Sequence, residues 1–169
     1  SGLTLSDAAH VLGLQDHWSQ AAARAGLIIC GRWNGMISEH PQTLEEELRN
    51  YAEKILEQSV KKSTRIMLET LSTKTVLEED PLVEAFLEED GRLNQLEVQL
   101  KSSIPLVAVG GPANTVYPEV GRKLGTETVI PEFASVANAV GAASGSVKIT
   151  ASCEVTNPES KGFLVHHGN

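Results

Sequence analysis

The sequence predicts an α/β fold, in which a mixed sheet carries flanking helices and one long helix stands beside them. Residues 104–144 alternate strand, helix, strand, helix, the pattern of strands joined by crossovers. The residues before them place apolar side chains three and four apart, the period of helices buried by one face. The tail alternates apolar and polar residues around turn chemistry, as a hairpin does. Aromatics make up only 4% of the chain, and a core of Ala, Val and Leu lets helices lie close to a sheet. Residues 1–103 therefore read as a mainly helical region and residues 104–169 as a strand–helix segment with a hairpin, together one compact domain of 169 residues.

Taken in order, residues 4–13 form a short helix, capped at Thr4 or Ser6 and ended by Gly13. A second helix starts near Asp16, with Trp18, Ala21, Ala22, Ala25 and Ile29 on its apolar stripe; Gly31 to Pro41 reads as a loop or a weakened helix end. Thr43-Leu-Glu-Glu46 matches a capping box and opens a helix over 44–71, about 40 Å long. Its face runs through Leu44, Leu48, Tyr51, Ile55 and on to Lys62, Ile66 and Met67, and its length places it beside the body of the domain. Residues 79–89 form a shorter helix with Leu82, Phe86 and Leu87 inward, and residues 93–100 are a short strand, with Leu96, Val98 and Leu100 on one side, or equally an extended lead-in. Leu106-Val-Ala-Val109 reads as a strand buried on both faces. Asn114 then caps a helix over 115–124, which places Pro118 in the first turn, where proline is tolerated. Residues 128–130 are a strand, residues 134–143 an Ala-rich helix suited to close packing on a sheet, and residues 147–165 a hairpin turning at 157–162.

The net charge of −8 excludes a general nucleic-acid binder, whose affinity rests on Lys and Arg. The acidic runs at 45–47, 78–80 and 88–90 read as solvated helix faces and ends. Cys30 and Cys153 have no metal spacing and read as small core hydrophobes of a reduced, cytoplasmic protein. No apolar run spans a bilayer, so no membrane partner is expected. The start at Ser1, without Met, reads as a piece of a longer chain.

Val109-Gly-Gly-Pro-Ala113 is the most informative local motif. Glycines beyond a strand's carboxyl end let a ligand approach bare backbone, and the following helix start offers free amides. The motif alone also suits a plain tight turn, and it is neither a dinucleotide fingerprint nor a phosphate loop of the Walker type. Asp7 and His10, three apart on one helix face, are the weak candidates for acid/base or metal chemistry; a cap and a packed histidine are the plainer roles. Asp16 and His17 read as surface residues that point apart, and His166-His167 as a frayed end.

Pro105-Leu-Val-Ala-Val-Gly-Gly-Pro-Ala113, Tyr117-Pro-Glu-Val-Gly-Arg-Lys-Leu-Gly125, Val129-Ile-Pro-Glu-Phe-Ala134 and Val136-Ala-Asn-Ala-Val-Gly-Ala142 resemble the hydantoinase/oxoprolinase family (N-methylhydantoinase A and 5-oxoprolinase type). Leu3-Thr-Leu-Ser-Asp-Ala-Ala-His-Val-Leu-Gly13 resembles that family's T-P-[ST]-D-A-x-H-V-L-G segment, with Leu5 in place of the usual Pro. The resemblance implies the second lobe of a ribonuclease H-like, actin-like ATPase fold with a long helical insertion. It also implies ATP and Mg²⁺ as cofactors and ring opening of a small cyclic amide, a hydantoin or 5-oxoproline, through a phosphorylated amide. Gly110, Gly111, Pro112 and Ala113 then line the adenosine side, and Asn138 is a packing or backbone-bonding residue. The D-x-G-G-T phosphate motif is absent from these residues. A missing amino-terminal ATPase lobe of the same protein is the expected partner, and the chain alone is expected to have negligible ATPase activity. The alternative is a non-catalytic interaction module, a homo-oligomer assembled through the helix over 44–71.

Overall fold

A computed structural model of the chain describes residues 2–40, 42–72, 80–88, 90–146, 152–157, 162 and 164–167. The chain divides into two compact units, Ser1–Asn138 and Ala139–Asn169. Residues 104–138 thus pack with the helical region, and the division falls well beyond residue 103.

In the first unit, α1 (Leu5–Val11) is capped at Thr4, whose backbone N–H and hydroxyl both donate to the Asp7 carboxylate, at 2.8 and 2.6 Å. The second helix, α2 (Gln20–Trp33), starts after Ser19, whose hydroxyl accepts from Ala22 N–H, and it runs into the stretch expected to be a loop. Its buried face is Ala23, Leu27 and Gly31. The expected stripe is the outer one: Ile29 is 64% exposed, Trp18 is exposed just ahead of the helix, and Ala21, Ala22 and Ala25 are exposed too. Only Gln20, Arg24 and Arg32 are strongly polar in this helix, so periodicity offers two apolar faces and cannot choose between them.

The long helix α3 (Leu44–Ser72) has 29 residues, about 43 Å at the α-helical rise. It is a shared wall of two cores, not a flank. Its first half joins Ala8, Leu27 and Ile37 through Leu48 and Ala52. Its second half joins Phe86, Leu87, Leu106, Val116, Val120 and Leu124 through Val60. From Gln58 to Thr64 the helix sequence turns polar, yet the inner face continues because Thr64, fully buried, returns its hydroxyl to Val60 C=O at 2.8 Å and leaves its methyl for the core. Ile66, placed inward by the sequence pattern, is half exposed. At the helix start the carboxylate bonded to the Thr43 hydroxyl is Glu47, at 2.9 Å, and Glu46 is exposed.

Helix α4 (Pro81–Leu87) is capped by Asp80, which accepts from Leu82 and Val83 N–H. It buries Ala85, Phe86 and Leu87 and turns Leu82 outward. The single strand expected over 93–100 is instead a minimal antiparallel hairpin, β1 (Arg92–Leu93) with β2 (Leu96–Glu97). Asn94, at φ 56°, supplies the left-handed turn residue.

β3 (Leu106–Val107) and β4 (Thr128–Val129) pair in parallel across α5 (Ala113–Lys123), a right-sized βαβ unit. Only one face of β3 is covered. Leu106 and Ala108 are buried, whereas Val107 and Val109 are more than half exposed. Helix α5 begins earlier than expected, with Pro112 at the cap and Asn114 inside the first turn, so Pro118 falls in the second turn. Gly121 brings α5 against β4: a Cβ there would lie 1.8 Å from Thr128 Oγ1. Helices α1, α2 and α5 end alike, with Gly13, Gly35 and Gly125 at φ 72°, 69° and 54° and with the reciprocal backbone bonds of a left-handed cap.

A 3₁₀ turn over Ala134–Val136 leads into α6 (Ala137–Ser144), which crosses the boundary between the units. No residue of α6 is buried, so the close packing expected of its alanines is absent. The second unit contains the expected hairpin, β5 (Cys153–Thr156) antiparallel to β6 (Leu164–His167). The rest of that expectation, 147–151, 158–161 and 163, lies outside the described residues. Cys153 is exposed, which corrects its reading as a core residue, and Cys30 is half-buried.

Candidate functional site

The strand–turn–helix at residues 106–113 is built on small side chains. Ala108, Ala113 and Ala134 are each buried to 3% exposure or less and form a cluster, with Tyr117 and Ile130 packed against it. Backbone bonds fix the strand's path: Ala108 N–H donates to Val129 C=O at 3.0 Å and Gly110 N–H to Ala134 C=O at 2.6 Å. Gly110 has φ 104°, a conformation side chains rarely adopt. Gly111 is exposed, and no heavy atom lies within 4 Å of the position a Cβ would take. The turn therefore presents open backbone at Gly111 above a floor of buried alanines.

The four residues expected to line the adenosine side divide by role. Gly111 is the open one, Gly110 and Pro112 are half-buried and shape the turn, and Ala113 points into the floor. Asn138, expected to pack or bond to backbone, is exposed. Sequence reasoning missed Gln15, whose side-chain amide donates to Gly111 C=O at 3.4 Å across 96 positions of sequence. A lone Gln after a helix end carries no signal for such a bond.

Asp7 and His10 are engaged by their own chain. Asp7 accepts both bonds from Thr4. His10 is 2% exposed. Its Nδ1 lies 2.6 Å from Ser6 C=O, and its Nε2 accepts from Trp18 N–H at 3.1 Å. A carbonyl only accepts and an amide N–H only donates, which assigns the ring the neutral Nδ1–H tautomer. Neither nitrogen is left for a metal or a substrate. The His17 ring meets His10 edge-on at 5.7 Å, and His17 pairs with Asp16 at 3.6 Å, so these neighbours do interact. His166 Nε2 lies 2.9 Å from the Thr156 hydroxyl.

Two carboxylates away from the glycine turn are electrostatically perturbed. Ser38 N–H, the Thr43 hydroxyl and the Ser38 hydroxyl all donate to the Glu47 carboxylate and hold its pKa below the ordinary value. Arg122 does the same for Glu119 on α5, at 2.8 and 3.0 Å. Among the described residues, no group of three or more His, Cys, Asp or Glu side chains converges to hold a metal. At the turn, Gly110 and Ala113 N–H are bonded within the chain and Pro112 has no N–H, and residues 110–113 carry no side-chain ligand for Mg²⁺. Among the described residues, hollows of about 340 to 510 Å³ open beside α3, α4 and α5, and residues 110–113 do not line these. No helix among the described residues is long and apolar enough to cross a membrane.

Comparison of the chain with protein families, curated proteins and solved structures finds no match in any of the three.

Proposed function

We propose that the chain supplies the adenosine-side wall of the nucleotide site in an ATP-dependent cyclic-amide hydrolase, with the phosphates held by another lobe of the same protein. The observation that carries this reading is the meeting of its two separated sequence blocks. Leu5 of α1 packs against the core that buries Val116 and Val120 of α5, and Gln15, just past α1, bonds to Gly111. Blocks that resemble one family in sequence order therefore also converge in space around one open turn.

Two further features support it. The turn lies beyond the carboxyl end of β3, beside a parallel neighbour, the position at which α/β sheets bind ligands. The outer face of that pair is apolar and bare, with Val107 and Val129 adjacent across the strands and Val109 beyond them. Parallel strands in α/β proteins are covered on both faces, so a further layer belongs there. That need is what a two-lobed, ribonuclease H-like arrangement would meet. Mg²⁺ and the residues that open the ring would come from the other lobe, since the carboxylate nearest the reading's amino-terminal block, Asp7, is committed to its cap.

The test is a titration of the chain with ATP and adenosine, followed by backbone NMR shifts and by phosphate release. The reading expects millimolar binding, shifts confined to residues 110–113, Gln15 and the first turn of α5, and no phosphate release above background. Unmoved resonances at saturating nucleotide, or shifts centred on another face, reject it.

A further inference from the structure

We propose that the outer face of α2 is a self-association surface, and that it pairs antiparallel with α2 of a second copy of this chain about a two-fold axis. This helix is apolar on both sides. Ala23, Leu27 and Gly31 are spent on the internal core. At 100° per residue the opposite side presents Ala21, Ala22, Ala25, Ile29 and Trp33, with Arg32 as its one charge. Trp33 is 88% exposed and Ile29 64%. A helix apolar all round is normally covered all round. The long helix α3 behaves differently: its inner face is shared by two cores, and Glu45, Glu46, Arg49, Glu53 and Lys54 are exposed on it. The available surface is therefore on α2 and not on the helix over 44–71.

The face is complementary to itself. Its first half is small, with alanines at 21, 22 and 25, and its second half is bulky, with Ile29 and Trp33. An antiparallel arrangement lays the bulky half of each copy over the small half of the other, so Ile29 meets Ala25 and Trp33 meets Ala21 and Ala22. A two-fold interface requires that reciprocity. Arg32 is the one charge on this face, so there is no basic row for nucleic acid or anionic lipid. Trp33 offers on the order of 200 Å². With Ile29 and the alanines, one copy provides roughly 400–500 Å², so a pair reaches the ~1,000 Å² at which specific interfaces begin. The dimer is accordingly weak, with a dissociation constant on the order of 10–100 µM.

Sedimentation velocity of the chain from about 5 to about 500 µM tests this, read beside the emission maximum of tryptophan. The expected result is a concentration-dependent monomer–dimer shift with a blue shift in emission. Trp33→Glu and Ala25→Glu each weaken the dimer at least about tenfold, because each leaves an unpaired charge in the contact. Both positions are exposed, so far-UV circular dichroism of the two variants matches the parent. A strictly monomeric chain over the whole range overturns the proposal. So does a dimer that both variants leave unchanged, which would place the contact on another face or another partner.

Discussion

In the helical cluster around Leu27 and Leu48, polar side chains are bonded to their own chain. Asp7 closes a cap, His10 bridges Ser6 and Trp18, and Glu47 gathers three donors at the start of α3. In the strand–turn–helix around Gly110, the buried side chains are mostly alanine, and the turn itself, residues 110–113, carries no polar side chain. The cluster contains the residue types associated with catalysis, already committed to structure. The turn contains none of them and offers the open surface. Residue type alone therefore does not mark which groups are open to a ligand; the bonds each group already makes do.

The largest expected effect bears on the first half of that contrast. His10→Ala removes two buried hydrogen bonds and leaves a void, so it should lower stability by about 2–4 kcal/mol in urea unfolding. A variant as stable as the parent would mean that His10 is free to act chemically, and the contrast would break. Gly121→Ala comes next. Its new methyl meets the stiff Thr128 side chain, and overpacking of this kind costs about 1–3 kcal/mol. Unchanged unfolding would show that α5 and β4 are not held at this spacing, and the floor of the turn would lose its basis.

The smallest effect concerns Glu47. Its pKa is depressed in the folded state, so its contribution is fully present above the unfolded value of about 4.5 and is lost as pH falls through the lower, folded value. Glu47→Gln should therefore lower the melting temperature slightly at neutral pH, with the gap to the parent closing as pH falls below 4.5. Parallel curves for variant and parent would remove Glu47 from the structural group.

Much of the fold is legible in the sequence because its signals are local. Pro81 after Asp80 marks the start of α4, and Gly13 and Gly125 mark the ends of α1 and α5. The alternation over 104–130 gives the βαβ unit. What is not legible depends on partners distant in sequence. Which apolar side of α2 is buried is decided by Leu48 and Ala52, some 20 residues on. Val107 and Val109 look like core residues because a continuous apolar run cannot reveal which of its faces is covered. The hairpin at Asn94 is too short to carry a period. At the candidate site, the glycines of the turn were legible from their place after a strand, whereas Gln15 and the alanine floor became visible only in three dimensions.

The central claim rests on the open position at Gly111, and one pair of measurements tests it most directly. ATP is titrated into the parent chain and into Gly111→Val by isothermal calorimetry, with thermal unfolding measured on both. No atom lies within 4 Å of the new Cβ position, so the fold should tolerate the branched side chain, while that side chain would occupy the space assigned to the adenosine. The account predicts nucleotide binding by the parent, binding weakened at least about tenfold in the variant, and nearly equal melting temperatures. Equal affinity in the two proteins, or no binding by the parent, would contradict it.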